Sequence, residues 1–195
     1  VDTGSALASV KITSLASDGI LEYNNNGTWT AVTLDQVITV ADITGNKLRF
    51  NPSLNENGTA YATFDFTVND GTLDSVSAKT ITYNVTAVND APTATDKTIT
   101  INEDTATVLN ISDFGFADVD SGDTLSSVKI TSLASDGILE YNNNGTWTAV
   151  TLNQVITNAD ITNGKLRFNP SLNENGTTYA TFQFTVNDGT TDSTA

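Results

Sequence analysis

Cysteine and histidine are both missing from the 195 residues. Without cysteine there is neither a disulfide framework nor a thiolate metal site, and no redox compartment can be argued from bridges. Without histidine no Ser-His-Asp or Cys-His arrangement can form, which leaves carboxylates as the side-chain ligands for a metal ion. Basic residues are scarce as well: 8 Lys and Arg stand against 23 Asp and Glu, a formal charge of −15. Nucleic acids and anionic membranes reward cationic surfaces, so neither is an expected partner, whereas cations are. No run of about 18 apolar residues and no signal-peptide pattern occurs, and the expectation is a soluble piece of something longer.

What the chain does hold is a repeat. Val10 through Leu21 recurs as Val128 through Leu139, an offset of 128 − 10 = 118 residues. Laid over residues 119–195 at that offset, residues 1–77 differ at 13 positions, so 77 − 13 = 64 are identical. The differences include Asp35/Asn153, Val40/Asn158, Ala60/Thr178 and Asp65/Gln183, and none touches an aromatic residue. The two copies should therefore share one fold.

Between the copies lies Val88-Asn89-Asp90-Ala91-Pro92. It follows an alternation of Ile81, Tyr83 and Val85 with Thr80, Thr82, Asn84 and Thr86, and it precedes one of Ile99 and Ile101 with Thr98 and Thr100. Both are the period-2 signature of a strand buried on one face. Pro92 fixes its own φ and pushes Ala91 toward an extended conformation, so the connection should be short and stiff. Two repeats are expected: residues 1–88, opening in the middle of a loop without the first two strands, and residues 89–195, lacking most of the last strand.

In order, the first copy predicts a strand over 8–15, a hairpin from Ile20 to Val32 turning at Asn26-Gly27, and short and long strands over 47–50 and 61–68. A last strand is expected over 77–87. Asn-Gly supplies the positive φ angles of a two-residue turn. In the long strand Phe64, Phe66 and Val68 should face inward and Thr63, Asp65 and Thr67 outward; burying each large side chain is worth about 1.5–3 kcal/mol. The second copy adds strands over 95–101 and 107–111 and a loop over 113–123. Short strands with regular turns and no helical period predict an all-β fold, tandem Ig-like sandwiches end to end. In that strand order, the linker, the Asp118–Asp123 loop and Asn187-Asp188 share one pole, with Asn102-Glu103-Asp104 and Asn173-Glu174-Asn175 at the other.

Taken as an ordered set, Asn89-Asp90-Ala91-Pro92, Asn102-Glu103-Asp104, Asp118-x-Asp120 and Val186-Asn187-Asp188-Gly189 resemble the cadherin-like tandem repeats of large bacterial surface adhesins, including the RTX type. The middle of the repeat, with Gly137-Ile138-Leu139, Gln154, Ala159-Asp160-Ile161, Gly164-Lys165-Leu166-Arg167-Phe168 and Phe182-x-Phe184, is also similar to the chondroitin sulfate proteoglycan repeat. The resemblance implies an extracellular stalk on a bacterial cell surface, serving adhesion or biofilm attachment, with calcium at the inter-domain linker. Carried onto this sequence, the ligands would be Asn89, Asp90, Asp118, Asp120, Asp123 and Asp188, joined by Glu56 from the preceding repeat. Glu103, Asp104 and Glu174 would serve a further linker at the other pole. The counterpart loop of the first copy holds Asp2 but has Ser5 in place of Asp123, which implies a weaker site.

Other readings stand beside these. Asn-Asp-Gly and Asp-x-Asp-x-Gly are also ordinary turn chemistry, in which side-chain oxygens accept from nearby backbone amides. Asp18, Asp113 and Asp136 read as solvated turn residues, and the four Asn-Gly-Thr sequons as turns. Trp29 and Trp147, just past their hairpin turns, suit core or edge packing, or stacking on a sugar. A glycan- or host-protein-binding module built on the Tyr23/Trp29 hairpin is accordingly the alternative function. No cleft accompanies the Asp118/Asp120 pair, so an enzyme is not expected. Open strand edges also predict strand exchange between two copies as a homodimer.

Overall fold

The computed structural model describes residues 6–194, and the chain divides into two compact units, Val1–Val88 and Asn89–Ala195. Unit 1 is a two-sheet sandwich. Its strands are β1 (Ser9–Ile12), β2 (Ile20–Asn25), β3 (Thr28–Ala31), β4 (Val37–Thr39), β5 (Leu48–Asn51), β6 (Gly58–Asn69) and β7 (Lys79–Val85). They form one sheet in the order β4-β1-β6-β7 and another in the order β3-β2-β5, with antiparallel pairs throughout. Ile12, Leu21, Val32 and Phe64 meet between the sheets, flanked by Phe50, Phe66 and Tyr83.

Unit 2 repeats the plan with β8 (Thr107–Val108), β9 (Ser127–Ser132), β10 (Ile138–Asn143), β11 (Thr146–Ala149), β12 (Val155–Thr157), β13 (Leu166–Asn169) and β14 (Gln183–Asn187). Its sheets run β12-β9-β14 and β11-β10-β13-β8. The all-β Ig-like sandwich expected from the strand pattern is the fold observed.

Local chemistry sets the joints. Asn25 pairs with Thr28 across Asn26 (φ 53°) and Gly27 (φ 94°), the left-handed pair of a two-residue hairpin turn. At the turn where Gly45-Asn46 becomes Asn163-Gly164, the second residue takes the positive φ in both units, Asn46 at 56° and Gly164 at 67°. Asparagine and glycine both tolerate that geometry, so the swap leaves the backbone unchanged.

Four expectations are corrected. One-turn helices, α1 (Val40–Thr44) and α2 (Asn158–Thr162), are too short to leave a period in the sequence; each is capped by a threonine hydroxyl, Thr39 or Thr157. Val68 does not face the core but is 39% exposed, whereas its counterpart Val186 is fully buried. Val186 shares a buried cluster with Leu109 and Phe114, whereas Val68 is not among the buried residues of the unit 1 core. Residues 95–101 form no strand; only Thr93 pairs there, with Ala117. Finally, β6 begins at Gly58 but its twin β14 begins only at Gln183. β7 flanks β6 from Gly58 to Phe66, and no such neighbour lies beside Tyr179–Phe182 among the described residues.

Candidate metal centre

The acidic loop of unit 2 hangs from a backbone clamp. Thr93 N–H donates to Ala117 O at 2.7 Å and Ala117 N–H returns to Thr93 O at 3.0 Å, which holds the segment after Pro92 against the start of Asp118–Asp123. Inside the loop Asp120 N–H donates to Asp118 Oδ1 at 3.0 Å, an Asx turn, and Asp123 N–H to Asp120 O at 3.3 Å. Gly122, at φ 100°, lets the chain double back. As a result one carboxylate oxygen from each of Asp118, Asp120 and Asp123 falls within 4.8 Å of the other two, all three residues being half-buried.

Hydrogen bonds do not account for all of these oxygens. Asp118 Oδ2 is buried with no partner among the described residues. None of the ion pairs among the described residues engages Asp118, Asp120 or Asp123; three of the four cations of unit 2 are committed elsewhere, Lys129 to Asp192, Lys165 to Asp160 and Arg167 to Glu140. The Asp123 carboxyl is pushed above the usual range, first by burial and then by the charges of Asp118, Asp120 and Asp188.

The start of unit 2 is tied to the same region. Asp90 N–H donates to Asp120 Oδ2 at 2.7 Å, and Asn89 Nδ2 donates to Asp188 Oδ2 at 3.0 Å and to Asp90 O at 2.7 Å. Asp188 Oδ1 accepts from the amides of Thr190 and Thr191 at 2.5 and 2.7 Å. The Asn89 amide, with the Thr191 and Thr190 N–H groups, holds the Asp188 carboxyl below its ordinary range. Thus Asn89, Asp90, Asp118, Asp120, Asp123 and Asp188 are neighbours, while only Asp118, Asp120 and Asp123 converge as carboxylates. Oxygen is the only donor element there, the preference of hard cations.

The remaining residues of interest lie apart from that trio. Asn173 N–H donates to Asp104 Oδ1 at 2.6 Å and Asn175 Nδ2 to Glu103 Oε2 at 2.9 Å, which joins the two loops of unit 2 expected at its other pole. Glu174 Oε2 lies 3.2 Å from Tyr179 Oη and, within unit 1, Glu56 Oε2 lies 2.6 Å from Tyr61 Oη, each tyrosine's single hydroxyl proton being shared with a second carboxylate, Asp136 or Asp18. Asp2 and Ser5 lie outside the described residues.

Asp18 and Asp136 are more than solvated turn residues. Asp18 accepts from Gly19 N–H, Tyr61 Oη and Ser53 Oγ, and Asp136 from Gly137 N–H, Tyr179 Oη and Ser171 Oγ. Both carboxyls are held low, Asp18 chiefly by the Gly19 amide and Asp136 chiefly by the Tyr179 hydroxyl. Each tyrosine lies 43 residues along the chain, so no local pattern marks the contact. Asp113 caps the 3-10 turn Ile111–Asp113 by accepting from Asn110 N–H. Trp29 and Trp147 pack at the sheet edge, one face of each covered by a guanidinium, Arg49 at 4.0 Å and Arg167 at 3.9 Å.

Among the described residues no helix is long and apolar enough to cross a membrane. A family model described as Bacterial Ig domain matches residues 89–195, the whole of unit 2. Neither a curated protein nor a solved structure matches the chain.

Proposed function

Since the chain belongs to the bacterial Ig domain family, we propose that it is a structural repeat of an extracellular adhesin stalk, in which calcium bound by Asp118, Asp120 and Asp123 stiffens the Asn89-Asp90 linker for cell or biofilm attachment. The observation that carries this reading is Asp118 Oδ2, a buried carboxylate oxygen without a hydrogen-bond partner beside two further carboxylates. Burying such an oxygen unpaired is unfavourable, and a cation is the partner that removes the penalty. Calcium takes 6–8 oxygens at about 2.3–2.6 Å, which three carboxylates, backbone carbonyls and water supply together.

The effect on the linker follows from the bonds already described. Asp120 receives the Asp90 amide, and Asp188, whose charge reaches Asp123, receives the Asn89 amide. Ion-free, the loop carboxylates repel one another and loosen the loop to which the linker is bonded. Calcium cancels the repulsion and fixes loop and linker together. Extracellular modules bind calcium with Kd of about 10⁻⁴–10⁻³ M, so occupancy would track the move from cytosol to exterior.

Thermal unfolding in calcium against EDTA tests the proposal. Calcium at ~100 times Kd should add about 2.7 kcal/mol to the stability of the binding unit. Melting that EDTA leaves unchanged would reduce the acidic loop to turn chemistry.

A further inference from the structure

The outer face of the β3-β2-β5 sheet holds an aromatic ring among fixed polar groups. Leu21, Tyr23, Leu48 and Phe50 lie in or against the core, so strand alternation sends Glu22, Asn24 and Arg49 to the opposite face. Register sets Trp29 beside Asn24 and Arg49 beside Glu22. The Arg49 guanidinium lies 4.0 Å over the Trp29 ring, and its Nε donates to Glu22 Oε2 at 2.7 Å. Unit 2 builds the same set, with Trp147 beside Asn142 and Arg167 beside Glu140. There the guanidinium lies 3.9 Å over the ring and 2.7 Å from the carboxylate.

Three properties of this set select a ligand. Both tryptophans are half-buried, yet neither belongs to the hydrophobic core of its unit. Donors are left over as well. Among the described residues Nε is the only nitrogen of either guanidinium with a partner, which leaves the terminal N–H groups of Arg49 and Arg167 free. Asn24 Oδ1 accepts from Gly27 N–H at 2.7 Å, and Asn142 Oδ1 from Gly145 N–H at 2.7 Å, so each amide is held while its Nδ2 stays unengaged. Finally, each arginine is balanced by its glutamate, on a chain whose formal charge is −15. An acidic ligand would be repelled, and the fit is to an uncharged one with neighbouring hydroxyls and C–H faces.

We propose that each unit binds an uncharged polysaccharide on this face. A sugar rests its C–H bonds on the part of the indole that the guanidinium leaves uncovered, and its hydroxyls accept from Arg49 and Asn24, or from Arg167 and Asn142. The chain thus presents two equivalent sites, independent of the Asp118 loop.

The test is NMR saturation transfer from the full 195-residue chain to cellohexaose and to maltohexaose, run in EDTA so that calcium plays no part. Saturable transfer to the sugar C–H protons of at least one is expected. Trp29→Ala with Trp147→Ala should weaken it at least about tenfold. Arg49→Lys with Arg167→Lys keeps the charge but removes the forked donors, and should weaken it as well. Thermal unfolding checks that each variant remains folded. Transfer to neither sugar, binding that the tryptophan changes leave intact in a folded chain, or tighter binding of hexagalacturonate than of the uncharged sugars overturns the proposal.

Discussion

Asn89 Nδ2 lies 3.0 Å from Asp188 Oδ2 and ties together residues 99 positions apart in the chain. One amide thereby holds the first residue of unit 2 against the turn that follows β14, while the next residue, Asp90, donates its N–H to Asp120. The acidic loop, the linker and the last turn of unit 2 form one hydrogen-bonded patch, which gives a cation bound there leverage over the linker.

Asn89→Ala should return the Asp188 carboxyl toward its ordinary value, because the Asn89 amide is the largest cause of its depression. A carboxyl whose folded value is depressed stabilises the fold above its unfolded value and loses that contribution as pH falls through the folded value. The stability gap between wild type and Asn89→Ala should therefore be widest near neutrality and close in acid. Urea unfolding across pH, with an NMR titration of the Asp188 carboxyl, reads both.

Asp123 has the opposite sign. Its folded value is raised by burial and by three neighbouring carboxylates, so its ionisation opposes folding, and stability rises as pH drops through that value. Asp123→Asn should stabilise the calcium-free protein at neutral pH and weaken calcium binding. A variant less stable than wild type in EDTA would show that no such repulsion exists.

Identical residues in different surroundings provide an internal control. Val186 is fully buried and Val68 is 39% exposed. Val186→Ala should destabilise unit 2 by about 2 kcal/mol, for two buried methyls and the cavity they leave, and Val68→Ala should change unit 1 by less than about 1 kcal/mol. Amide exchange resolved by unit measures each.

Gly19 and Gly137 both sit near φ 60°, where an added Cβ would come within 2.6 Å of a phenylalanine ring. Both positions also meet a backbone carbonyl at 2.8 Å, Asn51 O or Asn169 O, so the difference lies in the rings: Phe50 is held under Tyr83, whereas Phe168 lines a groove of unit 2 and has room to shift. Gly19→Ala should therefore cost more than Gly137→Ala, the strained backbone alone accounting for about 1–3 kcal/mol in each. Equal losses in differential exchange would contradict the contrast.

What could be read from the sequence was local. The Asn26-Gly27 hairpin and the Asp118-x-Asp120 turn follow from residues within a few positions of one another, and the 118-residue offset carries one unit's plan to the other. The misses depend on partners. Residues 95–101 have a strand's alternation but pair with no strand among the described residues, and Val68 has the same core pattern as Val186 yet lies outside the buried cluster of its unit. The Asp136–Tyr179 bond joins an exposed aspartate to a half-buried tyrosine 43 positions on, and neither carries a pattern of its own. Asp118 Oδ2 belongs to a turn any reader would mark, yet its burial without a partner among the described residues is a property of the folded loop that the residue pattern does not state.

Calorimetric titration of calcium into the 195-residue chain, repeated with Asp118→Ala and Asp120→Ala together, tests the central claim most directly. The account predicts saturable binding in the 10⁻⁴–10⁻³ M range, weakened at least about tenfold by the double change, since two of three carboxylates are gone. No binding, or binding that the double change leaves intact, would contradict it.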